Sequence, residues 1–150
     1  MTTILVVNSD ATARRTTQYV LQAANYTVIT ARDTYQASLH LMRLQCDLLI
    51  TDLSAPQFDG VAFLRTLRSI EYYHNLPVIV LSNSGHRHDR QLALELRVSV
   101  CLSKPVRSDV LVATVRRALQ QRFTSFQSIG DFALMAVPQS LESMPAEIMM

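Results

Sequence analysis

Short β-branched or apolar runs recur through the first 122 residues, at Thr3–Val7, Thr27–Ala31, Asp47–Thr51, Val78–Leu81 and Val98–Leu102. Between and after them, apolar residues return at helical spacing. The clearest sets are Phe63, Leu64, Leu67 and Ile70, then Leu111, Val115, Ala118 and Leu119. Leu92, Ala93 and Leu96 mark a shorter helix. Asp33, with Gln36 three positions on, has the form of a helix start, since a short acceptor there satisfies amides the first turn leaves open. Asp59-Gly60 opens the next helix. The pattern is β-α repeated five times, which predicts a parallel sheet with helices on both faces.

Strand character orders the sheet. ILVV, LLI and VIVL are continuous apolar runs, as strands covered on both faces require, whereas hydroxyl residues interrupt TVITA and VSVCLS, as suits edges. With right-handed crossovers the simplest α/β arrangement is the order 2-1-3-4-5, a flavodoxin-like doubly wound sheet with five helices. Such sheets bind ligands beyond the carboxyl ends of their central strands.

Composition narrows the class. A chain of 150 residues with 49% apolar and 17% charged residues has room for one globular domain. It needs no disulfide or metal staple. Cys46 and Cys101 form no framework, no apolar run nears the ~20 residues of a membrane span, and Met1–Asp10 is not a basic leader. A cytoplasmic location is expected. Residues 1–122 hold fourteen bases and nine acids, a balance of +5, without any basic cluster on one face. The arginines read as solvated helix faces, and no nucleic-acid partner is expected. Residues 123–150 hold three acids and no base, with Phe132–Val137 as their one apolar run. They read as a tail without its own core, beside a domain over 1–122. Thirteen of the fourteen bases are Arg; the exception is Lys104.

The carboxyl ends of the predicted strands collect the chemistry. Strand one ends in Asn8-Ser9-Asp10, strand three in Asp52, strand four in Ser82 and strand five in Ser103-Lys104-Pro105. A carboxylate, a hydroxyl and an ammonium thus converge. A carboxylate can attack phosphorus to give an acyl phosphate, and the group in transfer spreads negative charge that a cation and donors must meet. His86 and His88, two apart, do not share a helix face, and His40 reads as a boundary residue.

ILVV, LLITD followed by APQFDG, VIVLS and the SKP triplet, in this order and spacing, resemble the receiver domain of bacterial two-component response regulators. The resemblance covers roughly residues 3–122. It implies Asp52 as phosphoacceptor, Ser82 as the switch hydroxyl, Lys104 as the ion pair to the phosphoryl group, and a cis Lys104-Pro105 peptide. It implies a Mg²⁺ site on Asp52, the Ser54 backbone carbonyl and an acidic pair closing strand one. It further implies a histidine kinase or other signalling protein as partner, and a homodimer or docking face on the fourth helix, fifth strand and fifth helix, near Asp89, Arg90, Arg107 and Arg116.

Departures qualify the match. The acidic pair is replaced by Asn8 and Ser9; Asp10, one residue on, suits a helix cap. Mg²⁺ favours carboxylate oxygens, so Asn8 and Asp10 are weak ligands and the metal site is expected to be weakened or lost. The aromatic residue common three positions before the lysine is Cys101, which reads as a small buried hydrophobe. The leading expectation is a single-domain receiver in phosphorelay signalling. The alternatives are a phosphorylation-independent docking module and a small phosphatase with Asp52 as nucleophile. The last is disfavoured because Ser54 stands where haloacid-dehalogenase-type phosphatases carry a second Asp.

Overall fold

The computed structural model describes residues 1–52, 60–83 and 94–121. Their elements are β1 (Thr3–Val7), α1 (Ala11–Ala23), β2 (Thr27–Ala31), α2 (Thr34–Arg43), β3 (Leu48–Asp52) and α3 (Gly60–Ser69). A 3₁₀ turn (Glu71–Tyr73), β4 (Val78–Asn83), β5 (Val100–Lys104) and α4 (Ser108–Gln121) complete them. All five strands pair in parallel in the order β2-β1-β3-β4-β5, as the apolar runs predicted. Four α-helices stand among the described residues against five expected. The missing one was marked by Leu92, Ala93 and Leu96 and lies largely outside them, though Leu94 and Glu95 are helical.

Three strands shift their bounds from the sequence expectation, β3 to Leu48–Asp52, β4 to Val78–Asn83 and β5 to Val100–Lys104, because ladder hydrogen bonds and not apolar runs set them. Asp47 stays outside β3, where its carboxylate accepts from Thr3 N at 2.8 Å and its amide donates to Thr3 O at 2.9 Å. β5 begins at Val100, not Val98, where pairing with Ile79 of β4 starts, and runs on to Lys104.

Alternation along the strands sends side chains to two cores. Leu5, Val7, Leu49, Val78 and Val80 pack under α2 and α3 with Ala37, Leu41, Phe63, Leu64 and Leu67. Ile4, Val6, Leu48, Ile50, Ile79 and Leu102 pack under α1 and α4 with Leu21, Leu111, Val115 and Ala118. α1 and α2 start on acidic caps. Asp10 Oδ1 accepts from Thr12 N at 3.0 Å, and Asp33 Oδ1 accepts from Gln36 N at 2.8 Å. Gln36 reaches back to Arg32 N at 2.9 Å, one residue before the cap, so the box closes one position wide.

Arg68 departs from the solvated role expected of the arginines. It is half-buried at the end of α3. Its Nε donates to Leu96 O at 2.9 Å, Nη1 to Tyr73 O at 2.8 Å and His74 O at 3.2 Å, and Nη2 to Arg97 O at 3.1 Å. Burial first, then the neighbouring Arg97 charge, lowers its pKa to about 10, still cationic at neutral pH. Thr51 is fully buried in β3, and its Oγ1 has no hydrogen-bond partner among the described residues. An unsatisfied buried hydroxyl costs about 1–3 kcal/mol, and Val has nearly the same shape. Thr51→Val is therefore expected to raise the unfolding free energy by about 1 kcal/mol in urea denaturation.

Candidate phosphoacceptor site

The carboxyl edge of the sheet brings Asp52 and Lys104 into contact. Asp52 is the last residue of β3 and pairs across the ladder with Leu81, while Lys104 ends β5 opposite Asn83. Both belong to the alternation that carries Ile50 and Leu102 toward the α1–α4 face. Lys104 Nζ forms an ion pair and hydrogen bond with Asp52 Oδ2. The carboxylate side chain is 6% exposed and that of the lysine 32%, so solvent reaches the pair from the lysine side. The Lys104-Pro105 peptide is cis, as the resemblance implied.

Ser82, one residue before the end of β4, is 3% exposed and faces the α2–α3 side with Val80. Its Oγ lies 3.5 Å from Cys101 Sγ, within hydrogen-bond reach of a thiol. Cys101 itself is buried in that core, matching its reading as a small hydrophobe. The serine that was expected to follow a phosphoryl group is thus coupled to β5 through sulfur, at the position where relatives of this pattern were expected to place an aromatic ring.

The strand-one end resolves differently from a metal site. Asn8 is 4% exposed and its Oδ1 accepts from Asp10 N at 2.9 Å, the short loop in which an Asn side chain imitates a backbone turn. Asn8 N donates to Ala31 O at 3.0 Å, and Arg14 Nη1 reaches Asn8 O at 2.8 Å. One oxygen of the Asp10 carboxylate accepts from Thr12 N of α1, and Ser9 is exposed. Mg²⁺ asks for an octahedron of oxygens, usually with carboxylates. Asp52 is engaged by an ammonium, Asn8 by its own loop and Asp10 by a helix, so the described residues do not fit the ion. No group of three His, Cys, Asp or Glu suited to a metal stands among the described residues. The Ser54 carbonyl, His86, His88, Asp89, Arg90 and Phe132–Val137 lie outside the described residues. His40 is half-buried in α2, Arg116 is exposed on α4, and Arg107 pairs with Asp109. Sequence reasoning missed Arg14, whose spacing on α1 gave no sign that it would return to the strand end.

A doubly wound parallel sheet with an acid–lysine pair and a buried serine hydroxyl at its carboxyl edge is the arrangement of a class of signalling domain. The chain matches the response regulator receiver domain over residues 4–116 and belongs to that family. It is 35% identical over 127 residues to the transcriptional regulatory protein CpxR of Escherichia coli K12, covering 85% of this chain and 53% of CpxR. It is 33% identical over 121 residues to the KDP operon transcriptional regulatory protein KdpE of the same organism, covering 81% of this chain and 52% of KdpE. The chain thus spans about half the length of these relatives. Among solved structures, a putative response regulator from Chloroflexus aurantiacus superposes with a TM-score of 0.75 at 27% identity, covering 79% of this chain and 98% of that one. The chemotaxis response regulator CheY4 of Vibrio cholerae gives 0.73 at 25% identity, over 79% and 98% of the two chains. No helix among the described residues is long and apolar enough to cross a membrane.

Proposed function

We propose that this domain receives a phosphoryl group on Asp52 in a phosphorelay, with the metal-assisted part of the reaction weakened. The observation that carries the reading is the Lys104–Asp52 pair at the carboxyl edge of the sheet that also holds buried Ser82. In the transfer, an Asp52 carboxylate oxygen bonds to phosphorus as the bond from phosphorus to a histidine nitrogen of the donor kinase breaks. The departing imidazole takes its proton from solvent. The Lys104 ammonium faces the negative charge of the group in flight, and the Ser82 hydroxyl supplies a donor on the opposite side of the edge. The domain extends over residues 1–122, acts as a signalling module without turnover of its own, and works in the cytoplasm. Its partner is a histidine kinase, and the face of β5 and α4 with the segment before β5 is the surface for a second copy or an effector.

The engagement of Asn8 by Asp10 N favours a second reading, a docking module that works without phosphorylation. Incubation with a small phosphodonor, read by intact mass, separates the two. A stoichiometric phosphoryl adduct on the wild type that Asp52→Asn abolishes is expected, with its rate nearly unchanged when Mg²⁺ is chelated. An unmodified wild type under both conditions overturns the phosphoacceptor reading and leaves the docking module.

A further inference from the structure

An apolar groove lies between α2 and α3, on the sheet face away from α1 and α4. Its cavity volume is about 180 Å³, and Leu41, Met42, Phe63, Leu67, Ile70 and Tyr73 line it. The Tyr73 hydroxyl is turned away, donating to Leu41 O at 2.8 Å, which leaves the ring as wall. Met42 is 80% exposed and Ile70 43%, with Tyr72 beside them at 72%. Large apolar side chains gathered around one depression mark a surface that is covered by something.

We propose that residues 131–137 of this same chain cover it. Each helix runs back from the carboxyl edge of the parallel sheet, so α2, α3 and α4 all end at the amino edge. Met42, Ile70 and Gln121 stand at or just past those ends. The chain beyond Gln121 therefore sets out from the edge at which the groove opens. Passing from the α4 layer to the α2–α3 layer crosses two layer spacings of about 10 Å each. Residues 122–130 reach about 30 Å when extended, enough for the crossing.

Composition selects the occupant. Phe132–Val137 is the one apolar run in residues 123–150, a stretch with three acids and no base beside a domain of balance +5. Asp131 immediately precedes the run. Arg43 is exposed in the last turn of α2, next to Met42, and has no acidic partner among the described residues. Asp131 at the head of the run and Arg43 beside Met42 carry opposite charges, the complement a seated segment requires. A short tether holds the segment at an effective concentration in the mM range, ahead of the same segment from a second copy.

The test uses the full chain with labelled Met, Ile and Phe, read by nuclear Overhauser contacts. Contacts from the Phe132 ring to the Met42 and Ile70 methyls are expected and should persist on dilution. Phe132→Ser combined with Leu134→Ser should abolish them and shift both methyl signals toward solvent-exposed values. Arg43→Glu should weaken the contacts, and adding Asp131→Arg should restore them. Methyl signals of Met42 and Ile70 that are the same with and without the two tail substitutions overturn the proposal. Contacts that appear only between differently labelled copies and fade on dilution overturn it too, assigning the groove to a second molecule.

Discussion

Lys104→Met slows formation of the acyl phosphate at Asp52 by about 10²–10³-fold, the loss expected when one preorganised charge or donor is removed from a transition state. Time courses of the phosphoryl adduct by intact mass check it. With Asn8 and Asp10 engaged in the β1–α1 turn, Lys104 is the cation seen against the Asp52 carboxylate among the described residues. Lys104→Arg is expected to recover little of the rate, because a planar guanidinium fork cannot occupy the point-charge position of an ammonium at the end of β5. Lys104→Met also carries a folding cost. Losing one partner of a buried ion pair costs about 3–5 kcal/mol, and the one-third exposure of Lys104 reduces this to about 2 kcal/mol. Asp52→Asn introduced together with Lys104→Met is expected to return most of that stability. A double variant as unstable as Lys104→Met alone would show that the lysine stabilises through other contacts.

Arg68→Met lowers the unfolding free energy by about 3 kcal/mol in denaturant melts, without change in the adduct chemistry at the opposite edge. Methionine retains the stem that packs along α3 but leaves the carbonyls of Tyr73, His74, Leu96 and Arg97 without the guanidinium that now serves all four. Each buried acceptor left open costs about 1–3 kcal/mol, and solvent at this half-buried site satisfies part of the set. Arg68→Lys is expected to fall between the two, since an ammonium has three donors and no planar fork.

The sheet was legible because its signal is repetitive. Continuous apolar runs mark β1, β3 and β4, interrupted ones mark β2 and β5, and the helical spacing of Phe63, Leu64 and Leu67 and of Leu111, Val115 and Ala118 reappears as the buried faces of α3 and α4, whereas Ile70, the fourth of the first set, falls just past α3 and is exposed. Asp52, Ser82 and Lys104 were legible as strand ends, because chain direction in a parallel sheet fixes which edge they share. Asn8, read evenly as turn former or ligand, does form the turn, since its oxygen accepts from a backbone amide two residues away. Arg68 was not legible. In sequence it is one more arginine on a helix, and its acceptors belong to segments that the fold alone brings together. The strand ends at Asp47 and Val98 slipped for a related reason, as hydrogen bonds from a neighbouring strand define them.

Arg68 has a further consequence in chain statistics. Its acceptors flank β4 on both sides in sequence, Tyr73 and His74 before it and Leu96 and Arg97 after it. One side chain therefore pins both ends of a long excursion of backbone, as a disulfide closes a loop. The entropy of closing such a loop grows only slowly with its length, so the clasp depends little on how many residues separate His74 from Leu96, while β4 inside the loop is held by its own pairing with β3 and β5.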